Sequence, residues 1–339
     1  MMTRGVSVII PTYNRAALVG RAVRSALAQI RTGDEVIVVD DGSTDGTEQA
    51  LAAFRDHITY LRVPNGGAGK ARNMGLALAR NPLVAFLDSD DEWQPHKLDL
   101  QRALLEARPD MVYCFSDFAH KNGAGQEQHN WIASWHGSAP RPQEVLGAGV
   151  TYSSLAALPA GVPDFDIHTG SLYLAQLNSQ YVFTSTVLVR RQVAGATLEF
   201  AEDLRLLEDR VCYARMAGAG PVAFFACETA WQHAHEGARL TGAGDLARAT
   251  AALAMLERVW GADPAFLAEH GQLYARAVQE QRQRRVRALL GLGRTAEARR
   301  ELRGVRNSPL LYQALSLLPS FLMRGLAWGR DQLRASGGS

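Results

Sequence analysis

Two apolar runs that each end in aspartates constrain the fold of this chain more than any other feature. Glu35–Asp41 ends in two carboxylates, and Leu83–Asp91 ends in a cluster of three. Unbroken apolar runs are typical of strands that are covered on both faces of a sheet. Open α/β sheets bind their ligands at the carboxyl ends of such strands. The sequence therefore predicts an α/β sheet whose ligand crevice is lined by carboxylates.

The rest of the chain supports this prediction through an alternation of strand and helix patterns. Apolar strands are predicted at Val6–Ile10, Glu35–Val39, Ile58–Val63 and Leu83–Leu87, with helical periodicity between them. Such an alternation favours a parallel, doubly wound sheet with right-handed crossovers. The later predicted strands are Met111–Phe115, Tyr181–Val189 and Pro221–Ala226, and the later helices are Asp245–Trp260, Ala265–Leu290 and Ala296–Gly304.

The spacing of Asp88 and Asp90 suggests a metal site. Two carboxylates separated by one residue can direct oxygens into one small volume, which suits a hard divalent cation that also binds a diphosphate. An alternative is an acidic helix start, because carboxylates favour a helix N-terminus and Gln94–Glu106 has a helical pattern.

Composition narrows the class of protein. Three widely spaced cysteines without CxxC pairs favour a reduced cytosolic setting over a zinc site or a disulfide scaffold. The apolar run before Pro11 is too short for a signal peptide, and no stretch forms an uninterrupted membrane span.

Charge is distributed unevenly along the chain. Residues 236–339 contain 16 arginines, no lysine and nine acidic residues, giving +7, which leaves −5 for residues 1–235. The acidic part disfavours nucleic acid as a partner. The basic part could meet an anionic membrane surface or form a solvated helical face.

Four motifs occur in order in the first third of the chain. They are VSVIIPTYNR at Val6–Arg15, VIVVDDGSTDGT at Val36–Thr47, NGGAGKARNMG at Asn65–Gly75 and AFLDSDDEW at Ala85–Trp93. Together they resemble the family 2 glycosyltransferases, with sparser agreement to about Thr241. The resemblance implies a GT-A fold, which is a Rossmann-like, mostly parallel sheet flanked by helices, here with a C-terminal all-helical extension. It also implies an inverting enzyme that uses a nucleotide-diphosphate sugar, usually a UDP-sugar.

The resemblance places a donor site at the strand ends. The residues implied for the nucleotide sugar are Pro11, Thr12, Tyr13, Asp40, Asp41, Lys70, Arg72, Asp88 and Ser89. Asp41 would face the uracil edge, and Arg72 would approach the nucleotide or its diphosphate, where a guanidinium can donate to two oxygens. Tyr13 could instead be a packing aromatic, Asp40 and Asp41 could cap a turn, and Arg72 could be a surface helix residue.

The resemblance also implies a divalent metal, Mn²⁺ or Mg²⁺, as in a DXD motif. Asp90 would ligate it, Asp88 would touch the ribose or the metal, and His235 would complete the coordination, with His233 as a rival. The metal would neutralise charge on the leaving diphosphate. Asp91 would support the loop or meet the acceptor.

Direct displacement needs one base to take the proton of the acceptor hydroxyl. Family members place this carboxylate in a Glu-Asp pair at a helix start, and Glu202–Asp203 competes here with Glu208–Asp209. The second pair fits better because Phe200–Arg205 resembles the segment before the family pair and a helical pattern follows. Asp209 is the predicted base, ahead of Glu208.

The predicted domains are a transferase domain over residues 1–240, with 119–181 as a variable acceptor-facing region, and a helical region over 241–339. Pro309–Trp328 is apolar but interrupted, which fits a helix pair in a membrane interface or a subdomain packed on the transferase domain. Five arginines upstream could contact anionic headgroups: Arg276, Arg282, Arg284, Arg285 and Arg287.

The predicted function is sugar transfer from a nucleotide-diphosphate sugar to a hydroxyl of a glycan or lipid-linked glycan, in polysaccharide biosynthesis for the cell envelope. The predicted location is the cytoplasm, with the option of peripheral contact at the inner face of the membrane. One alternative is a sugar nucleotidyltransferase, which should carry a glycine-rich loop where Pro11–Asn14 stands. The other is a sugar-nucleotide-binding regulator without turnover, which would tolerate loss of the base.

Overall fold

The computed structural model describes residues 5–136, 140–235, 243–306 and 309–320. The chain divides into two compact units, Met1–Gly237 and Ala238–Ser339. The predicted domain boundary after residue 240 lies outside the described residues.

The first unit is built on one mixed sheet. Its strands are β1 (Val6–Thr12), β2 (Glu35–Asp40), β3 (Thr59–Arg62), β4 (Leu83–Phe86), β5 (Asp91–Trp93), β6 (Tyr113–Lys121), β7 (Glu127–Gln128), β8 (Val150–Thr151), β9 (Asp166–Gly170), β10 (Leu188–Arg190) and β11 (Val222–His233). They follow the order β3-β2-β1-β4-β10-β6-β11-β9-β8, while β5 pairs with β11 and β7 with β6. The first four strands are parallel, as predicted, and β10 is antiparallel to both of its neighbours.

Helices connect these strands. They are α1 (Val19–Leu27), α2 (Thr47–Ala50), α3 (Ala68–Leu78), α4 (Lys97–Ala107), α5 (Ile132–His136), α6 (Pro142–Leu146), α7 (Arg191–Ala194) and α8 (Glu208–Ala219). The central strands are buried along their whole length, since every residue of β1 and β4 is buried. This burial accounts for the unbroken apolar runs in the sequence.

Helix α3 packs very closely on β1. A Cβ atom added to Gly75 would lie 2.4 Å from Cγ2 of Ile9. Gly75 therefore allows the backbone of α3 to approach the sheet, which brings the start of α3 near the carboxyl ends of the strands.

Two local predictions are wrong. Tyr181–Val189 is not one strand, because Thr184–Thr186 forms a turn of 3₁₀ helix and only Leu188–Arg190 is a strand. Groups of Thr184–Thr186 bond instead to Gln101 of α4, to Asp209 of α8 and to Asp91, partners that do not belong to a strand beside this segment. The acidic helix start is also wrong, since Asp91–Trp93 pairs with β11 and α4 begins at Lys97.

The second unit is helical in its described part. Its helices are α9 (Asp245–Leu256), α10 (Pro264–Gly291), α11 (Thr295–Leu302) and α12 (Leu310–Leu317). Leu289, Leu290 and Ala298 contribute to a small apolar core, whereas Leu310 and Leu311 are 81% and 63% exposed. Within the described ranges, no helix is both long and apolar enough to cross a membrane. The predicted helix pair over Pro309–Trp328 lies partly outside these ranges.

Candidate active site

The carboxylate of Asp41 organises the glycine loop before α3. It accepts hydrogen bonds from the backbone N–H groups of Gly66 and Gly67 at 2.7 and 2.8 Å, and from the amide of Asn65 at 3.1 Å. Burial raises the pKa of Asp41, although the two backbone donors oppose this effect. The loop thus depends on Asp41, and the predicted contact with uracil would have to share the same oxygens.

Asp40 holds the neighbouring turn. Its two oxygens accept from the backbone N–H of Ser43 at 2.7 Å and from the hydroxyl of Tyr60 at 2.8 Å. Asp40 therefore caps this turn, which is the alternative that the sequence left open for it. At the end of β1, Thr12 is buried, whereas Tyr13 is 45% exposed.

The turn between β4 and β5 carries the remaining donor-site carboxylates. Oδ2 of Asp90 lies 2.8 Å from Nε2 of His235 and 3.7 Å from Nη2 of Arg15. The side chain of Asp91 is buried and accepts from the hydroxyl of Ser185 at 2.5 Å. Burial raises the pKa of Asp91 well above its ordinary value, and the charge of Asp90 adds to this rise. Asp91 therefore supports the turn, as one of the two sequence interpretations expected.

Arg72 links this turn to α8. Its Nη2 donates to Asp88 at 2.7 Å and its Nη1 donates to Glu208 at 2.9 Å, while the guanidinium lies 5.2 Å from the ring centre of Phe200. The side chain is only 6% exposed, so the interpretation of Arg72 as a surface helix residue is wrong. The predicted contact with the diphosphate stays a prediction, because both Nη atoms donate to protein carboxylates. Lys70 packs over Gly66, and its charge lowers the pKa of Asp41.

The preferred Glu-Asp pair lies at the first turn of α8, which confirms the predicted helix start at Glu208. The residue before it, Leu207, has a φ of 63°, a left-handed conformation that is uncommon for leucine and concentrates at functional turns. Burial and the charge of Asp209 raise the pKa of Glu208 to about 7, although Arg72 opposes them.

Glu208 and Asp209 differ in their surroundings. The carboxylate of Glu208 is 7% exposed and bonded to Arg72. Asp209 is half-buried, and its Oδ2 accepts from the hydroxyl of Thr184 at 3.4 Å. Its Oδ1 accepts from the backbone N–H of Arg210 at 2.7 Å. Asp209 is therefore the more accessible proton acceptor of the two.

The two histidines contact different carboxylates. His235 pairs with Asp90, whereas His233 lies 3.0 Å from Oε2 of Glu92. In the described part of the chain, no group of three His, Cys, Asp or Glu side chains is arranged to hold a metal. A carboxylate and an imidazole that already converge still fit a cation that completes its shell with phosphate oxygens and water. Of the two histidines, His235 is the one that contacts Asp90, the predicted metal ligand.

Three contacts of the site were missed by sequence reasoning. Thr184 touches Asp209, Ser185 touches Asp91, and Arg15 approaches Asp90. The run Thr184–Thr186, three hydroxyl residues inside an apolar stretch, was the available signal for the first two.

The fold has known counterparts. The crystal structure of S. aureus TarS 1–349 in complex with UDP-GlcNAc matches this chain with a TM-score of 0.58 and 20% identity, covering 96% of this chain and 91% of the other. The same protein in complex with UDP matches with a TM-score of 0.56 and 18% identity, over 96% and 91% of the two chains. The chain thus has a mixed sheet flanked by helices, of the GT-A type, with C-terminal helices.

The family is indicated by the sequence of the first unit. Residues 7–162 match the model described as glycosyl transferase family 2. The putative teichuronic acid biosynthesis glycosyltransferase TuaG of Bacillus subtilis is 44% identical over 108 residues, 30% of this chain and 42% of that protein. An uncharacterized glycosyltransferase of a Nostoc strain is 44% identical over 97 residues, 27% of this chain and 30% of that protein. Each alignment covers less than half of the relative. Residues 7–162 therefore form a domain of glycosyltransferase family 2, and membership of the family applies to this domain alone.

Proposed function

We propose that this protein is an inverting glycosyltransferase that moves a sugar from a UDP-sugar to a hydroxyl of a glycan or lipid-linked glycan. The observation that carries the proposal is the bridge made by Arg72 between Asp88 and Glu208. This bridge holds the carboxylate turn after β4 and the first turn of α8 in one site, although they are far apart in the sequence. The complexes of TarS with UDP and UDP-GlcNAc support the choice of a uridine donor.

A divalent cation, Mn²⁺ or Mg²⁺, fits beside Asp90. The carboxylate of Asp90 and Nε2 of His235 would hold it, and Asp88 lies next to them with one oxygen bonded to Arg72. When bound, such a cation would neutralise charge on the leaving diphosphate.

The proposed base is Asp209. It accepts the proton of the acceptor hydroxyl, and the hydroxyl oxygen attacks the anomeric carbon from the face opposite the diphosphate. The bond from that carbon to the diphosphate oxygen breaks, and UDP leaves with the electron pair. The bond from Thr184 orients the carboxylate of Asp209, while Glu208 remains bonded to Arg72 and fixes the first turn of α8.

We infer an acceptor built of sugars from a partly exposed aromatic side chain in residues 119–181. Trp131 is half-buried and stacks on His120 with ring centres 4.5 Å apart. Aromatic faces suit sugar rings. The name of TuaG, which refers to teichuronic acid, supports a cell-envelope polysaccharide as the product. We place the reaction in the cytoplasm, with peripheral contact at the inner membrane face.

The first test is calorimetric titration of UDP, with GDP as the comparator, in Mn²⁺ and then in EDTA. We expect UDP to bind in Mn²⁺ and to bind more weakly in EDTA or in Asp90→Ala. Glu92→Ala is the matched control, because Glu92 forms the equivalent carboxylate–histidine pair with His233. Turnover is then sought as release of UDP from a panel of UDP-sugars.

If UDP does not bind in Mn²⁺, the proposal that the donor is a UDP-sugar is wrong. Binding without release of UDP from any sugar nucleotide, with or without glycan acceptors, would favour the regulator without turnover. If Asp90→Ala and Glu92→Ala lower the affinity for UDP equally, Asp90 is not a specific ligand of the metal.

A further inference from the structure

The segment Thr184–Val187 contacts both halves of the proposed site, which are the carboxylate turn after β4 and the first turn of α8. Its first three residues form the 3₁₀ turn, and all four are 2% exposed or less. Nothing in the reaction described above uses this segment, apart from the hydroxyl of Thr184.

Ser185 joins the segment to the carboxylate turn through three hydrogen bonds. Its hydroxyl donates to Oδ2 of Asp91 at 2.5 Å and accepts from the backbone N–H of Asp88 at 3.1 Å. Its carbonyl accepts from the indole N–H of Trp93 at 2.7 Å. The two ends of the turn, at Asp88 and Trp93, are thus bonded to one residue. Because Asp90 lies between them, the position of Ser185 constrains the position of Asp90.

The residue before Ser185 joins the segment to α8. The hydroxyl of Thr184 donates to Oδ2 of Asp209 at 3.4 Å. Adjacent residues of one short turn therefore contact the carboxylate turn and the proposed base.

A buried lysine holds the segment from below. Nζ of Lys97 donates to Oε1 of Gln101 at 2.6 Å and to the carbonyl of Val187 at 3.3 Å, and the amide of Gln101 donates to the carbonyl of Thr186 at 2.7 Å. Nζ also lies 4.3 Å from the ring centre of Trp93. Lys97 is wholly buried, and no ion pair joins it to a carboxylate among the residues that the structure describes. A buried amine without a counter-charge costs stability unless polar partners satisfy it, and the contacts of Lys97 with Gln101, Val187 and Trp93 do so.

We propose that Thr184–Val187, held by Lys97 and Gln101, positions the carboxylate turn and Asp209 relative to each other for sugar transfer. Ser185 and Lys97 are positioning residues in this proposal, since both act through other groups. The inference rests on the proposed function, because it assigns the two halves of the site to donor and base.

The test compares two variants that each remove one buried hydroxyl from the same turn. Ser185→Ala loses the bonds to Asp91 and Asp88, whereas Thr186→Val loses only the local bond to the carbonyl of Phe183. Lys97→Met is the third variant. The measurements are release of UDP from the UDP-sugar that the panel shows to be turned over, the affinity for UDP in Mn²⁺, and hydrogen–deuterium exchange of peptides covering residues 86–94 and 206–212.

We expect Ser185→Ala and Lys97→Met to lower kcat by about tenfold or more, because small displacements of reacting groups have large effects on rate. The affinity for UDP should change by less than about threefold, since neither variant removes a predicted donor contact. Exchange over residues 86–94 should accelerate in both, and Thr186→Val should leave kcat and exchange unchanged.

Equal losses in Ser185→Ala and Thr186→Val would overturn the proposal, since the hydroxyls would then contribute only to folding. Unchanged exchange over residues 86–94 in Ser185→Ala would also overturn it, whatever the activity. If the wild-type protein releases no UDP from any UDP-sugar of the panel, the proposed function fails, and the exchange data still decide whether the segment holds the turn.

Discussion

At the scale of single residues, the site separates two carboxylates that are neighbours in the sequence. Glu208 points to Arg72 and is buried, whereas Asp209 points to Thr184 and is half-buried. The first turn of a helix directs consecutive side chains about 100° apart, so adjacent residues meet different surroundings. Sequence reasoning selected this pair, and the separation of the two environments supports Asp209 as the base.

Asp209→Asn should lower transfer by about 10²-fold or more, because it removes the proton acceptor. Glu208→Gln should retain transfer within about tenfold, since its amide oxygen can still accept from Arg72. Rates are measured with the sugar nucleotide that is turned over, and UDP affinity serves as the folding control for both variants. The reverse order of effects would make Glu208 the base.

Glu208 should also leave a mark on the pH dependence of stability. Burial raises its pKa from 4.5 to about 7, so the native state holds this proton more tightly than the unfolded chain does. Its contribution to stability is therefore complete below about pH 4 and is lost as the pH rises through about 7. Between these limits, Tm should fall more in the wild-type protein than in Glu208→Gln. If Tm depends on pH in the same way in the wild-type protein and in Glu208→Gln, the raised pKa of Glu208 is wrong.

At the scale of elements, α3 carries the glycine loop and Arg72 to the strand ends because it packs closely on β1. This approach depends on a glycine in the middle of a helix. The sequence motif contains that glycine, but the motif does not reveal that Ile9 lies against it.

Gly75→Ala should destabilise the fold by about 1–3 kcal/mol, because the added methyl group would overlap Ile9. Gly20→Ala is the matched control, since Gly20 also lies in a helix but its added Cβ would meet its nearest neighbour at 3.7 Å. The control should be neutral or stabilising by up to about 1 kcal/mol. Urea unfolding gives both values. Equal effects at the two positions would show that helix propensity alone decides them.

At the scale of the whole molecule, the sequence predicts that the basic second unit contacts a membrane. Three of the five arginines make contacts within the unit: Arg282 donates to the carbonyl of Gly304, Arg285 pairs with Glu301, and Arg287 donates to Tyr312. Arg276 and Arg284 are exposed, as are Leu310 and Leu311 on α12. The predicted contact with lipid headgroups therefore rests on Arg276 and Arg284, and not on all five arginines.

The full-length protein should pellet with phosphatidylglycerol vesicles at low salt, because arginines and exposed leucines together favour an anionic interface. Arg276→Glu combined with Arg284→Glu should reduce pelleting, and pure phosphatidylcholine vesicles serve as the control. If the wild-type protein does not pellet with anionic vesicles, the predicted membrane contact is wrong.

The sequence by itself determined the fold class, the positions of the strand-end carboxylates and the helix start at Glu208. These features follow from local patterns, since an apolar run, a turn motif or a helix start depends on neighbouring residues. The tertiary structure decided which side chains meet. Arg72 bonds to Glu208 across 136 positions, and His235 meets Asp90 across 145. The hydroxyl turn at Thr184–Thr186 replaced a predicted strand because its partners come from α4, α8 and the turn after β4. Such contacts depend on strand register and helix packing, which no local pattern encodes.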